Sequence, residues 1–188
     1  MRAAQIVGDG HAAAAASARD RFSGLYEQHC HAVYNHCFRR LGSWSLAEEI
    51  TAATFLTAWR RRASGPEAGA DALPWLLAIA NNVLRNTRRA QRRYAAALAR
   101  IVQPEVVSDP AETVAARVDA ERQMAAALPV LAMLPARERA VIELCVGAGL
   151  TNRQAAVALG IPAGTVKSRL SRGLSRLRRE LGHPDTGE

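Results

Sequence analysis

Apolar residues recur at helical spacing along most of the chain, and no segment alternates in the manner of a β-strand. From about Arg19 to Gly42 they fall mostly at three-, four- and seven-residue steps, which predicts a first helix that ends at the glycine. Further stripes predict helices after Ser45, after Asp71 and, in shorter pieces, from residue 109 to residue 181. The pattern predicts an all-α fold of two small helical domains joined by a linker.

Helix-start signals refine these elements. Residues 45–48 and 151–154 have the spacing of capping boxes, and Asp71 can cap the third helix. Asp109 followed by Pro110 resembles another helix start, with the helix continuing to about Leu134. We expect Phe55, Trp59 and Trp75 to be mainly core residues.

Charge and composition divide the chain further. Residues 74–104 hold six arginines and no acid, whereas residues 105–121 hold five acids and one arginine. Residues 1–18 are alanine-rich without a stripe, which favours a disordered tail. The predicted units are listed in order: tail 1–18, first domain 19–94, acidic linker 95–123, second domain 124–182, and tail 183–188.

The overall charge narrows the class of partner. The formal net charge is +8 and the sequence pI is about 10.6, which favours a polyanion, nucleic acid before membrane. The sequence has no apolar run long enough for a membrane span, no secretory signal and no CxxC pair among its three cysteines. We therefore expect a cytoplasmic protein.

Histidines and cysteines cluster within nine residues of the first predicted helix, which raises the possibility of a metal site. The cluster comprises His29, Cys30, His31, His36 and Cys37. One continuous helix cannot converge four ligands on a tetrahedral ion, so we expect no metal. The sequence also offers no catalytic triad, phosphate loop or carboxylate pair, and we expect neither a cofactor nor enzymatic activity.

The sharpest signal is a helix-turn-helix over residues 151–181. On its second helix one face is apolar; its members are Val166, Leu170, Leu174, Leu177 and Leu181. The opposite face carries Ser168, Ser171, Arg172, Ser175 and Arg179. We expect Arg172 to contact a base, Lys167 and Arg169 to contact phosphates from the flanks, and the free N–H groups near residues 163–165 to hold a further phosphate.

Several motifs resemble those of bacterial RNA polymerase sigma factors of the extracytoplasmic-function (ECF) group. Residues 160–170 read GIPAGTVKSRL, residues 134–139 read LPARER and residues 150–156 read LTNRQAA. Residues 47–59 read AEEITAATFLTAW and residues 75–82 read WLLAIANN. The resemblance implies that the first domain is sigma region 2 and that the second is sigma region 4.

The resemblance also implies a role for each surface. Region 4 would recognise the minus-35 promoter element through Thr165, Lys167, Ser168, Arg169, Ser171 and Arg172. Region 2 would recognise and help melt the minus-10 element through Asn82, Arg85, Asn86, Arg88, Arg89, Arg92 and Arg93, with the loop 61–73 holding a flipped base. The contact with the clamp helices of the polymerase β′ subunit would involve Glu48, Glu49, Ile50 and Leu56.

The sequence departs from the family pattern at two places. Ala52-Ala53 replace the usual Gln-Glu, and Asn86 replaces the usual Asp, so clamp contact and base preference can differ. The implied partners are the polymerase core, with its β′ and β subunits, promoter DNA and an anti-sigma factor, with no membrane. The alternative is a self-sufficient regulator that dimerises on a palindromic operator, with residues 20–95 as its dimerisation or sensing domain.

Overall fold

The structure is a computed structural model that describes residues 2–66, 70–98 and 128–181. The first domain contains helix α1 (Arg2–Leu41), helix α2 (Trp44–Arg60), a short 3₁₀ turn (Arg62–Ser64) and helix α3 (Leu73–Leu98). No strand occurs in these described segments, and the all-α prediction is confirmed. None of the described helices is long and apolar enough to cross a membrane.

The second domain is built from shorter helices. Helix α4 covers residues 128–133. Helix α5 (Ala136–Ile142) continues into a π-helical turn (Glu143–Gly147). Helix α6 (Asn152–Leu159) and helix α7 (Ala163–Glu180) follow.

Three sequence predictions need correction. The residues predicted to be a disordered tail are helical from Arg2, because α1 extends through the alanine-rich stretch and alanine has the highest intrinsic helix propensity. No capping box forms at residues 45–48, since α2 begins at Trp44 after Ser43, which makes no side-chain cap bond. Helix α3 runs to Leu98, beyond the predicted start of the linker at residue 95.

The linker predictions lie mostly outside the described residues. The acidic stretch and the predicted helix start at Asp109 with Pro110 both lie outside them. The helix that we expect to reach about Leu134 is described only from residue 128, and residues 128–133 are helical.

The first domain packs α1, α2 and α3 against one another. Val33, Ile50, Phe55, Leu76 and Leu77 are almost fully buried in its core. Phe55 is thus a core residue as expected. Trp59 is half-buried at the edge, with its ring 5.1 Å from that of Phe22, and Trp75 is half-buried against the core.

The second domain packs α5 and α6 against α7. Val141, Leu144, Ala155 and Val166 are fully buried there. Gly173 of α7 lies so close to α5 that a Cβ atom would be 2.7 Å from Ile142 Cδ1. Hydrophobic patterning could not identify this crossing point, because glycine contributes no apolar side chain to the stripe.

Candidate nucleic-acid and polymerase interfaces

The helix-turn-helix is set by two local features. Thr151 Oγ1 accepts a hydrogen bond from the Gln154 backbone N–H (3.3 Å), and Gln154 Oε1 accepts one from the Thr151 N–H (2.8 Å). This reciprocal pair is the predicted capping box. Gly160 then adopts a left-handed conformation (φ +65°), which ends α6 and turns the chain into α7.

Helix α7 presents a polar face to solvent. Lys167, Ser168, Ser171 and Arg172 are exposed, and Arg169 is half-buried on the flank. Arg172 Nε donates to the Ser168 carbonyl oxygen (3.2 Å). Apart from one helical turn of self-contact, this face is open to a ligand, as the sequence predicted.

The start of α7 offers fewer free donors than expected. Thr165 is half-buried, and its N–H donates to the Pro162 carbonyl (2.9 Å). The expectation of a free N–H at Thr165 is therefore wrong, because the first turn of α7 closes on the residue before the helix. Gly164 is exposed, with nothing within 4 Å of where its Cβ would lie.

Helix α3 carries the second cationic face. Arg85, Asn86, Arg89, Arg92 and Arg93 are exposed, and all of these except Arg85 line a shallow open depression. Asn82 is half-buried, and its Oδ1 accepts a hydrogen bond from Arg85 Nη2 (2.6 Å). Arg88 is also half-buried, and its Nη2 donates to the Arg40 carbonyl (3.0 Å), which fixes it against the end of α1.

Hydrogen bonds between partly buried polar side chains hold α3 against α1. Asn81 Oδ1 accepts hydrogen bonds from Arg40 Nη1 (2.6 Å) and from His36 Nε2 (3.1 Å). Burial, aided by the Arg40 charge, lowers the pKa of His36 from 6.5 to about 4. His36 is therefore neutral at pH 7 and acts as a hydrogen-bond donor rather than as a cation or a metal ligand.

The remaining members of the His/Cys cluster do not converge. Burial raises the pKa of Cys37 to about 11, which leaves its thiol protonated and unreactive at pH 7. His31 is exposed and contacts Asn35, one turn along α1. Among the residues that the structure describes, no group of three or more His, Cys, Asp or Glu side chains could hold a metal ion.

The predicted polymerase-binding residues divide into two sets on α2. Glu48 and Glu49 are exposed, and Leu56 is an exposed apolar side chain at 51%. Ile50 is only 2% exposed, so its prediction as a polymerase contact is wrong. A residue two positions after Glu48 faces the opposite side of the helix, where Ile50 packs in the core.

Sequence reasoning missed one aromatic residue near this surface. Tyr26 on α1 is 48% exposed, and its ring lies 4.8 Å from that of Phe55, the residue before Leu56 on α2. Tyr26 fits the apolar stripe of α1, so the spacing alone could not distinguish it from a core residue.

The segment between α2 and α3 is organised by short contacts. The Arg62 guanidinium lies over the Trp59 ring at 4.1 Å. Asp71 Oδ1 accepts the Leu73 N–H (3.0 Å), as expected of a cap. Residues 67–69 of the predicted base-holding loop lie outside the described part of the chain.

Together, the helix-turn-helix and the separate basic helix have the features typical of a DNA-binding protein. Comparison with known proteins agrees with both halves. The Sigma-70 region 2 family model matches residues 25–94, and the Sigma-70 region 4 model matches residues 126–177.

Whole-length relatives give the same answer. The chain is 31% identical over 173 residues to the ECF RNA polymerase sigma factor SigL of Mycobacterium tuberculosis, covering 90% of this chain and 95% of SigL. It is 31% identical over 166 residues to the RNA polymerase sigma factor CarQ of Myxococcus xanthus, covering 88% and 91% of the two chains.

The fold is also that of a solved sigma factor. The sigma factor RpoE from Bartonella quintana, crystallised with the anti-sigma factor NepR, superposes with a TM-score of 0.64 at 24% identity, covering 86% of this chain and 97% of that one.

The chain therefore belongs to the ECF RNA polymerase sigma factors, which direct promoter-specific transcription initiation. The predicted family is confirmed, and the alternative of a self-sufficient dimeric regulator is not needed to explain either domain.

Proposed function

We propose that α7 recognises the minus-35 element in the major groove. The supporting observation is the open polar face opposite the buried Val166. Short hydroxyls on this face permit close approach, and Arg172 has the reach and the two donors for a guanine edge. The phosphate-contacting side chains are Lys167 and Arg169, with Thr165, Ser168 and Ser171 completing the surface.

Helix α3 recognises the minus-10 element in this proposal. Arg85, Arg89, Arg92 and Arg93 neutralise the backbone of the opened strand. Asn86, which is exposed beside Arg89, contacts bases, and Asn82 with Arg88 borders the same face. The observation that supports this function is the presence of two exposed cationic helix faces, on α3 and α7, in one chain. A protein that binds two separate promoter elements needs two such DNA-binding surfaces.

The polymerase contact belongs to α2. Glu48, Glu49 and Leu56 form an exposed surface that is acidic and partly apolar. Such a surface complements a basic coiled coil with apolar positions, which is what the β′ clamp helices would supply; the β subunit would be met by region 4. We include the exposed Tyr26 in this proposal because its ring packs against Phe55, the neighbour of Leu56 in sequence.

The finer assignments follow from this role. Regions 2 and 4 correspond to residues 19–94 and 124–182, with the segment between them as a linker. The chain works in the cytoplasm on the polymerase, has no catalytic activity of its own, and uses no cofactor. An anti-sigma factor is a further partner, by analogy with the NepR complex of the Bartonella protein.

Run-off transcription with sigma-free core polymerase tests the proposal. A template carrying both promoter elements should give a defined transcript only when the chain is added. Footprinting of the same holoenzyme should protect both elements. Tight binding to a palindrome without any binding to core polymerase would instead support the dimeric regulator.

The polymerase surface has its own test. Glu48→Arg combined with Glu49→Arg should weaken core binding at least about tenfold, because like charges placed across an interface cost several kcal/mol. Glu180→Arg, a charge reversal on the exposed end of α7, is the matched control and should leave core binding unchanged. Equal losses in both variants would contradict the α2 assignment.

A further inference from the structure

A buried carboxylate lies beneath the second helix of the helix-turn-helix. Glu138, in the first turn of α5, is only 7% exposed, and its Oε2 lies 3.1 Å from Nε of Arg176 on α7. The two partners are buried unequally, since the Arg176 side chain is 49% exposed whereas that of Glu138 is 10% exposed. The acid is thus held inside the domain, and the guanidinium extends from it to the surface of α7.

The pair depends on the close crossing of α5 and α7. A Cβ atom on Gly173 would be 2.7 Å from Ile142 Cδ1 and 3.3 Å from Glu138 Cβ, so a larger residue would push the two helices apart. Gly173 lies three residues before Arg176, and residues three apart are neighbours on one side of a helix. The missing side chain at Gly173 therefore brings the Glu138 carboxylate within reach of the Arg176 guanidinium.

The geometry of this pair is poor for stabilising the fold. Glu138 Oε2 is buried and, although Arg176 Nε is close, it makes no hydrogen bond in the described part of the chain. A buried carboxylate loses its hydration, and an imperfectly aligned partner offsets only part of that cost. An apolar side chain at position 138 would avoid the cost, so stability alone does not explain the acid. Departures of this kind from good packing are typical of functional positions.

The pair leaves most donors of Arg176 available. A guanidinium has five N–H donors, one on Nε and four on the two terminal nitrogens. The ion pair joins Nε to Glu138, and within the described segments no terminal nitrogen of Arg176 makes a hydrogen bond. Because Nε and the terminal nitrogens lie on different edges of a planar group, a carboxylate at one edge leaves another edge for a second oxyanion.

Arg176 lies on the flank of α7 that also carries Arg169. The two residues are seven positions apart, which is about two helical turns and about 10 Å along the axis, with a rotation of only about 20° between them. Arg169 is the phosphate-contacting residue that we assign to this flank. DNA carries one phosphate per roughly 1.7 Å of its axis, so a helix lying along the groove passes more than one phosphate. A backbone that contacts Arg169 would therefore pass close to Arg176 as well.

We propose that Arg176 contacts a DNA phosphate beside the minus-35 element and that Glu138 is the positioning residue that directs its guanidinium. This inference rests on the proposed function, because it adds a residue to the DNA-binding surface of α7. Glu138 touches no DNA. Its carboxylate holds Nε from the protein side and the terminal nitrogens point outward, so less side-chain freedom is lost when the phosphate binds.

Removing the guanidinium tests the phosphate contact. Arg176→Ala in the whole chain should weaken binding to matched and scrambled minus-35 duplexes alike, and should lower the slope of log affinity against log salt by about 0.9. The loss at 50 mM salt should then exceed the loss at 200 mM salt by about threefold. Arg19→Ala, at an exposed position of α1, is the matched control and should leave the slope unchanged. An unchanged slope in Arg176→Ala, or a loss confined to the matched duplex, would overturn the phosphate contact.

A double-mutant cycle tests the positioning role. Glu138→Gln keeps the size of the side chain and removes its charge. Arg176→Ala should weaken DNA binding at 50 mM salt by about fivefold in the wild-type background and by less than about twofold in the Glu138→Gln background, because a guanidinium that is not held contributes less. A purely structural pair would lower the stability of the domain without changing the salt slope. The same loss of affinity in both backgrounds would overturn the role of Glu138.

Arg176→Lys provides a second test that does not depend on the folding of Glu138→Gln. Lysine keeps the positive charge but has a single nitrogen, which cannot contact Glu138 and a phosphate from separate edges. This variant should bind about twofold to threefold more weakly at 50 mM salt, with an unchanged far-UV circular dichroism spectrum. Wild-type affinity in Arg176→Lys would show that charge alone is sufficient and would overturn the role of Glu138.

Run-off transcription separates failure of this inference from failure of the proposed function. If the wild-type chain supports transcription with core polymerase and Arg176→Ala binds DNA as the wild type does, only the assignment of Arg176 and Glu138 is overturned. If the wild-type chain supports no transcription, the proposed function itself is overturned, and with it the inference that rests on it.

Discussion

Helices α7 and α3 both present cations to solvent, but the rest of the fold holds their polar side chains in different ways. On α7, the one hydrogen bond that Arg172 makes within the described part of the chain is to Ser168, one turn away on its own helix. On α3, Arg88 bonds to the Arg40 carbonyl, 48 residues away in sequence, and Asn81 bonds to both His36 and Arg40.

The difference teaches how each surface depends on tertiary structure. The α7 face forms whenever the helix forms and docks on α5, so it resembles a rigid, preformed reader. The α3 face is positioned by hydrogen bonds between partly buried polar groups. If one partner is removed, the other is left desolvated without a hydrogen bond, which destabilises the fold. Changes remote from DNA should therefore disturb region 2 more than region 4.

The largest expected effect comes from acid acting on His36. Its pKa in the fold, about 4, is below its ordinary value of 6.5, so the fold favours neutral His36. The corresponding stability is fully present above about pH 6.5 and is lost as the pH falls toward 4. At 1.36 kcal/mol per pH unit the loss is about 3 kcal/mol.

Urea unfolding of the whole chain at several pH values measures this loss. His36→Gln retains an N–H donor for Asn81 but has no titrating group. Between pH 6.5 and pH 4, its free energy of unfolding should therefore fall by about 3 kcal/mol less than that of the wild type. His31→Gln, at an exposed position of the same helix, should follow the wild type. Parallel curves for wild type and His36→Gln would show that His36 does not couple protons to folding. Residues 128–181 contain no histidine, so this acid sensitivity belongs to region 2.

The next effect is on the α7 side of the comparison. Arg172→Ala should weaken binding to the cognate minus-35 element by about 1–3 kcal/mol and blur base preference, because a bidentate base contact is lost. Fluorescence anisotropy with matched and scrambled elements measures both quantities. Far-UV circular dichroism should not change, since the hydrogen bond that the structure shows for Arg172 is to the Ser168 carbonyl of the same helix. Equal losses on both elements would remove Arg172 from base recognition.

The comparison also explains which features the sequence could predict. The capping box at Thr151, the cap at Asp71 and the polar face of α7 depend on residues within a few positions of one another, and local spacing identified them. The burial of Ile50 and the engagement of Arg88 depend on which way α2 and α3 face within the bundle. A stripe shows that a helix has two faces, but not which residues at its border are covered.

The packing of the two domains against each other, with Glu143 beside Arg40, could not be predicted from the sequence for a similar reason. Glu143 follows a short helix that holds two arginines, and Arg139 lies four residues before it, so local spacing does not indicate a pairing with Arg40. That pairing is fixed only when the π-helical turn packs against α1. The close approach at Gly173 likewise needs the position of Ile142 on another helix. Helix α1 was underestimated because alanine propensity, rather than an apolar stripe, supports its first turns.

A smaller effect tests whether the helix-turn-helix is stabilised by the local capping box at the start of α6. Thr151→Ala removes the side-chain bond to the Gln154 N–H and should lower the free energy of unfolding by about 1 kcal/mol. Ser43→Ala is the matched control, because Ser43 precedes α2 without making a side-chain cap bond, and it should cost much less. Urea unfolding followed by circular dichroism distinguishes them, and an equal cost for both would contradict the role of the capping box.

The smallest effect concerns Lys167, the only lysine in the chain. Its ammonium group is a point charge suited to phosphate, so Lys167→Ala should weaken binding to matched and scrambled elements alike. Loss of one phosphate contact lowers the slope of log affinity against log salt by about 0.9, so the loss at 50 mM salt should exceed that at 200 mM by about threefold. Anisotropy titrations at the two salt concentrations measure this ratio. A preference for the matched element that falls with Lys167→Ala would place Lys167 at a base edge, and the α7 face would then have two base-reading cations in place of one.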